Sequence, residues 1–186
     1  DFGKINTNWK FLIENFIEPY HVQFVHKTTT NQPLKDHYTI VDGICYGSGV
    51  DVKQEDNKNN SALSVTSRYL SLFPNFIIGT YFPNQIGVYL NVPISPGVTS
   101  QKRIIYTTDG KDMSKEESDI VKKIWWSVHK EDHEMCERLQ EGRLSPASDQ
   151  GGLLSPYWEK GVQTFQKLII QATMKSSKAM KGKKNV

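Results

Sequence analysis

From residue 63 to residue 108, short runs of β-branched and aromatic residues are separated only by tight-turn signals. Leu63 to Leu70 alternates with period two, and Phe76 to Phe82, Ile86 to Val92 and Lys102 to Thr108 carry the same residue types. Pro74-Asn75, Pro83-Asn84 and Pro96-Gly97 stand between them and bend the chain locally. The middle of the chain is therefore expected to form an antiparallel meander. Ahead of it, the polar, asparagine-rich stretch from Asp51 to Asn60 reads as a mobile loop.

Helical patterns flank this sheet. Near the start, Trp9, Leu12, Ile13, Phe16, Ile17 and Tyr20 make one apolar stripe of period 3.6, with Asn8 as N-cap. Pro19 removes a backbone donor and should kink or break that helix. After the sheet, Ser114 and Glu117 form a capping box. Val121, Ile124, Trp125, Val128, Met135 and Leu139 follow as an apolar stripe, and Gly142 should stop the helix. Ser155-Pro156 should open a last helix, with Trp158, Val162, Phe165, Leu168 and Ile169 on its inner face. Strands followed by long helices give an α+β class.

The 186 residues suffice for one sizeable core, read as a domain over 1–174 with a basic, disordered tail over 175–186. The net charge of +3 is small, and Lys175, Lys178, Lys181, Lys183 and Lys184 supply much of the excess. Those lysines read as a solvated, frayed end rather than a nucleic-acid or membrane patch. No apolar run approaches the roughly 18 residues that a membrane span needs. Cys45 and Cys136 make no disulfide framework, which points to a reducing, cytoplasmic setting. The first residue is Asp1 rather than Met, as in a piece of something longer.

Two distant features carry chemistry. His21 and His26 lie five residues apart in apolar company. On a regular α-helix that spacing separates side chains by about 140°, too far to share a metal. A π-type turn would bring them onto one face, and Pro19 is placed to cause it. Glu18 and Glu14 precede His21 by about one and two turns, where a carboxylate could orient an imidazole. The second feature is Asp132, four residues after Val128 and three before Met135, on the apolar stripe. A buried carboxylate must be paired, protonated or bound to a metal. Each feature also has a bland reading. The histidines could be half-buried at a helix end, and Asp132 could pair with an arginine such as Arg68. His129 and His133 read as a solvated face, and His37 has no visible partner. Together, two histidines and a carboxylate match the facial triad of Fe(II) sites. Zinc accepts the same donors, but no His-Glu-x-x-His signature is present.

Asn8-Trp9-Lys10, Glu14-Asn15, Glu18 with Tyr20-His21, and His26 resemble the signature of Rieske non-haem iron oxygenase catalytic domains. These are the ring-hydroxylating α subunits and their relatives acting on quaternary amines. Glu131-Asp132, Gln140 with Gly142, Leu154-Ser155 and Glu159 are similar to the family's C-terminal helix pattern. Leu72-Phe73-Pro74-Asn75 resembles its central strand. The resemblance implies a helix-grip fold, with the antiparallel sheet wrapped around a long C-terminal helix. It implies His21, His26 and Asp132 as ligands of a mononuclear Fe(II) that activates O₂ to hydroxylate an aromatic compound or a quaternary amine. It makes Glu18 the acidic residue that passes electrons from the Rieske centre of a neighbouring subunit, in a homotrimer. Glu in place of the commoner Asp leans towards amine substrates. A Rieske [2Fe–2S] centre needs Cys-x-His and Cys-x-x-His. Neither Cys45 nor Cys136 is so followed, so a missing domain or another chain must supply the cluster. Tyr81, Tyr89 and Trp125 are candidate pocket residues, and Trp125-Trp126 a candidate ammonium cage. Two rival functions remain. One is a metal-free binder of small molecules or lipids on the same fold. The other is a zinc hydrolase with Glu18 or Glu14 as base.

Overall fold

The computed structural model describes residues 1–27, 29–30, 32–52, 66–81 and 84–183. Its strands are β1 (Gly3–Ile5), β2 (His37–Asp42), β3 (Cys45–Val50), β4 (Ser67–Leu72), β5 (Phe76–Tyr81), β6 (Gln85–Ser95) and β7 (Val98–Thr107). Its helices are α1 (Trp9–Ile17), α2 (Val22–Val25), α3 (Lys115–Arg143) and α4 (Lys160–Lys183). All strand pairs are antiparallel, in the order β1-β7-β6-β5-β4-β3-β2. The meander read from the turn signals thus holds for β4 to β7, and β2 and β3 extend it. Most of the expected loop, residues 53–60, and the start of the expected strand at Leu63 lie outside the described residues.

Register rows show which side chains share the covered face. Tyr46, Ser71, Ile77, Tyr89 and Arg103 are successive partners across five strands. The next row on the same face runs Thr39, Ser48, Tyr69, Gly79, Gly87 and Ile105. Tyr46, Ile77 and Tyr89 pack with Ile13 and Ile17 of α1 and Val162 and Phe165 of α4 into the main core. The helices therefore grip one face of the sheet, as the fold class implies.

Gly47 leaves no room for a side chain between β3, its neighbour β4 and helix α4. A Cβ there would lie 1.8 Å from the Tyr69 carbonyl oxygen of β4, and a Cβ added at Gly161 of α4 would lie 3.3 Å from the Gly47 amide nitrogen. Neither neighbour is a flexible side chain, so overpacking cannot relax cheaply. Gly47→Ala should destabilise by roughly 3 kcal/mol, read as a lowered midpoint in urea unfolding, and a loss under about 0.5 kcal/mol would contradict this packing.

Three boundaries differ from the sequence pattern. Helix α3 runs through Gly142 and is capped at Leu144, because Gly142 keeps helical geometry and no left-handed residue follows it. Ser155 and Pro156 make a turn, in which the Ser155 Oγ accepts from the Tyr157 and Trp158 amides, and α4 starts only at Lys160. The backbone of α4 continues to Lys183, through Lys175 and into the stretch expected from composition to be a disordered tail, whose last residues, 184–186, lie outside the described residues. No helix among the described residues is long and apolar enough to cross a membrane.

Candidate metal centre

The proline does more than bulge the first helix. Glu18 precedes Pro19 and is driven to an extended conformation, with φ −101° and ψ 139°. Helix α1 ends at Ile17, the chain turns, and α2 begins with the Val22 amide bonded to the Pro19 carbonyl at 3.2 Å. His21 and His26 cap the two ends of α2, and their ring centroids are 5.1 Å apart. A break followed by one helical turn therefore takes the place of the expected π-type turn. Tyr20 leaves the apolar stripe and is exposed.

Asp132 approaches both histidines from α3. Its Oδ1 lies 3.1 Å from His26 Nε2 and 3.6 Å from His21 Nε2. One donor atom from each of the three residues falls within 4.8 Å of the others. Two donors each roughly 2.1 Å from one ion, at about a right angle, stand about 3 Å apart, so the trio fits a metal bound on one face. Carboxylates fix the outer edge of each ring. His21 Nδ1 is 2.6 Å from Glu18 Oε1, and His26 Nδ1 is 2.8 Å from Glu131 Oε2, which Thr29 also reaches at 2.8 Å. An ionised carboxylate only accepts, so each Nδ1 carries the proton and each Nε2 is left for the metal side. Asn15 donates to Asp132 Oδ1 at 2.9 Å.

Electrostatics follow from this packing. Burial works against a charged His26, but the hydrogen bonds and charges of Asp132 and then Glu131 outweigh it and raise its pKa to about 9. Burial likewise opposes an ionised Asp132, yet His26, then His21 and His129, hold its carboxyl well below the usual range. Arg68 plays no part here, since it pairs with Asp51 at 2.8 Å. Glu14 also turns away from the histidines, and its Oε1 accepts from Gln166 of α4 at 3.0 Å.

His129 and His133 are not a solvated face. His129 is buried against Tyr89 and Trp125, and its Nδ1 lies 3.7 Å from Asp132 Oδ2. His133 is half-buried and bonds Gln101 Oε1 at 2.8 Å. Behind His129 sits Arg103, whose Nη1 is 3.0 Å from His129 Nε2. Its guanidinium lies in the space left by Gly87, 3.4 Å from the Trp125 ring centroid and 4.8 Å from that of Tyr89. Arginine only donates, so His129 Nε2 accepts and the ring is neutral. Burial, then the Arg103 charge, pushes its pKa well down. Trp125 therefore stacks on an internal cation, while Trp126 is exposed beside Phe2, and the two do not form one cage. A cavity joins the metal trio to Phe16, Tyr69, Tyr81, Tyr89 and Trp125, so the candidate pocket residues are buried and line it as well.

Residues 3–174 match the ring hydroxylating alpha subunit catalytic domain. The chain belongs to that family. Among curated relatives of this catalytic domain, choline monooxygenase of Atriplex hortensis is 28% identical over 165 residues, covering 87% of this chain and 36% of the relative. The Spinacia oleracea enzyme is 24% identical over 183 residues, covering 92% and 39%; both are chloroplastic. The chain thus spans somewhat over a third of the length of these relatives. Among solved structures, the quaternary ammonium Rieske monooxygenase CntA superposes with a TM-score of 0.71 at 18% identity, covering 90% of this chain and 46% of that one. Dicamba monooxygenase gives 0.71 at 16%, covering 94% and 58%. These likenesses establish the shared fold of the catalytic domain. Three residues with evident work in it carried no assignable role in the sequence. Glu131 and Asn15 sit inside the motif but need α2 and α3 in place to have partners, and Arg103 reads as an ordinary strand cation.

Proposed function

We propose that this domain is the oxygenase unit of a Rieske-type monooxygenase, with His21, His26 and Asp132 holding one ferrous ion. The convergence of His21 Nε2, His26 Nε2 and Asp132 Oδ1 on one point carries the reading. When bound, such an ion supplies O₂ activation for hydroxylation of an organic substrate. The chain's own residues do the rest. Glu18 and Glu131 hold the imidazoles in their ligating tautomer, and Asn15 steadies the Asp132 oxygen shared by both rings. The aromatic wall keeps the cavity apolar around the substrate. A quaternary amine is the favoured substrate over an aromatic ring, because the curated relatives are choline monooxygenases and CntA has been solved with L-carnitine and γ-butyrobetaine.

Electrons enter from a Rieske [2Fe–2S] domain docked beside Glu18. That residue links His21 to a surface where Tyr20 and Phe24 are exposed and stack on each other, and CntA is described with inter-subunit electron transfer. A homotrimer in a reducing compartment such as the cytoplasm fits this arrangement.

The test is anaerobic reconstitution with Fe(II), comparing stoichiometry and affinity in the parent, His21→Ala, His26→Ala and Asp132→Ala. One tightly held ion per chain, with affinity reduced by about 100-fold or more in each variant, is the expected result. No uptake by the parent, or uptake indifferent to these substitutions, would favour a metal-free binding domain. Selective uptake of zinc, with hydrolytic turnover, would favour a hydrolase.

A further inference from the structure

At the β2–β3 side of the cavity two buried polar side chains stand without a hydrogen bond of normal geometry among the described residues. His37 is 7% exposed and Ser48 is 1% exposed, and both line the cavity that holds the metal trio. Among the described residues neither ring nitrogen of His37 nor the Ser48 hydroxyl has a hydrogen-bond partner of normal geometry, although the Gln32 backbone lies near the His37 ring. His37 pairs with Val50, and Ser48 lies two residues before Val50 on the same face. The two side chains are therefore diagonal neighbours pointing inward. Leaving two such groups buried and unpaired is costly, and a ligand group that satisfies both would recover that cost.

We propose that His37 and Ser48 form a hydrogen-bonding subsite for an uncharged hydroxyl group of the substrate. The inference deepens the quaternary-amine reading and rests on it. A hydroxyl both donates and accepts, as do a neutral imidazole and a serine hydroxyl, so the three can satisfy one another. Burial lowers the His37 pKa to about 4, which keeps the ring neutral at ordinary pH. A carboxylate fits poorly. No lysine or arginine is among the described residues lining the cavity, and Glu18 and Asp132 line it already. Lys35 and Lys160 belong to a separate, open groove on the outer side of His37.

The experiment is calorimetric titration of the anaerobic, Fe(II)-loaded chain with three probes: choline, propyltrimethylammonium (methyl in place of hydroxyl) and γ-butyrobetaine. Choline should bind about tenfold more tightly than propyltrimethylammonium, the usual scale of a satisfied buried hydrogen bond. γ-Butyrobetaine should bind more weakly than choline. In His37→Phe and Ser48→Ala the preference for choline should fall to within about twofold, while propyltrimethylammonium still binds as in the parent, which shows an intact fold. His37→Gln should recover part of the preference. Equal binding of choline and its methyl analogue by the parent would overturn the subsite while leaving the amine reading intact. A preference that survives both variants would overturn the assignment to these residues. Tighter binding of γ-butyrobetaine would overturn the uncharged group. Binding of no amine at all would overturn the amine reading and this inference with it.

Discussion

Ferrous-ion affinity should rise about tenfold for each pH unit between roughly 6.5 and 8.5, a gain of about 100-fold across that window. In the metal-free chain His26 lies between two carboxylates, Asp132 at 3.1 Å and Glu131 at 2.8 Å, and is protonated up to a pKa of about 9. An ion can take the Nε2 of His26 only if that proton leaves, so each binding event below pH 9 releases it. The sign for folding is the reverse. A folded pKa raised above the unfolded value means stabilisation present in full below about 6.5 and lost as pH climbs through about 9. The metal-free domain should therefore unfold more readily at pH 9.5 than at 6.5, while the loaded domain gains stability over the lower part of that range. Competition against a coloured chelator at fixed ionic strength, in 0.5-unit pH steps (roughly the resolution such slopes need), measures the first trend. A flat profile from pH 7 to 8.5 would mean that His26 is not the proton that the metal displaces. Glu131→Gln should shift the rise to lower pH, since one of the two anions that hold the proton is gone.

What the sequence discloses and what it hides have physical causes. Strands β4 to β7 are legible because alternating apolar residues meet one buried face and their turns need Pro, Asn and Gly. Strand β3 is not, because its place between β2 and β4 demands small residues. Gly47 lies beneath the Tyr69 carbonyl, and a Cβ at Gly49 would strike Tyr38 and Arg68. Glycine weakens any strand pattern, so the constraint that makes β3 possible also conceals it. Asp132 is legible because a carboxylate on an apolar helical stripe must have a reason to be there. His129 was harder. The apolar stripe through Trp125 and Val128 is narrower than the buried surface of α3, which packs one side against α1 and another against the aromatic row of the sheet. Glu131 and Asn15 acquire their partners only when helices far apart in sequence meet, at separations of 105 and 117 residues.

Arg103 and His129 should respond to substitution in opposite ways. The guanidinium is enclosed by Gly87, Tyr81, Tyr89 and Trp125, and its bond to His129 is the one hydrogen bond it makes among the described residues. Its Nε and Nη2 are buried and have no hydrogen-bond partner among the described residues. Removing one member of a buried polar pair strands the other, so His129→Ala combines a cavity with an uncompensated cation and should cost about 3–4 kcal/mol. Replacing the charge by an apolar chain of similar volume removes the desolvation penalty together with the bond, so Arg103→Met should change stability by no more than about 1 kcal/mol. The two residues touch, so the effects should not add. In the Arg103→Met background, His129→Ala should cost about 2 kcal/mol less than in the parent, because no cation is left behind. Urea unfolding of the four metal-free proteins at one pH closes this cycle. If Arg103→Met alone costs as much as His129→Ala, the stacking of the guanidinium on Trp125 at 3.4 Å outweighs its burial, and Arg103 belongs to the core as a stabilising cation. If the predicted asymmetry appears, stability alone does not account for that cation, and its role lies in holding His129 neutral, with its Nδ1 proton turned towards Asp132.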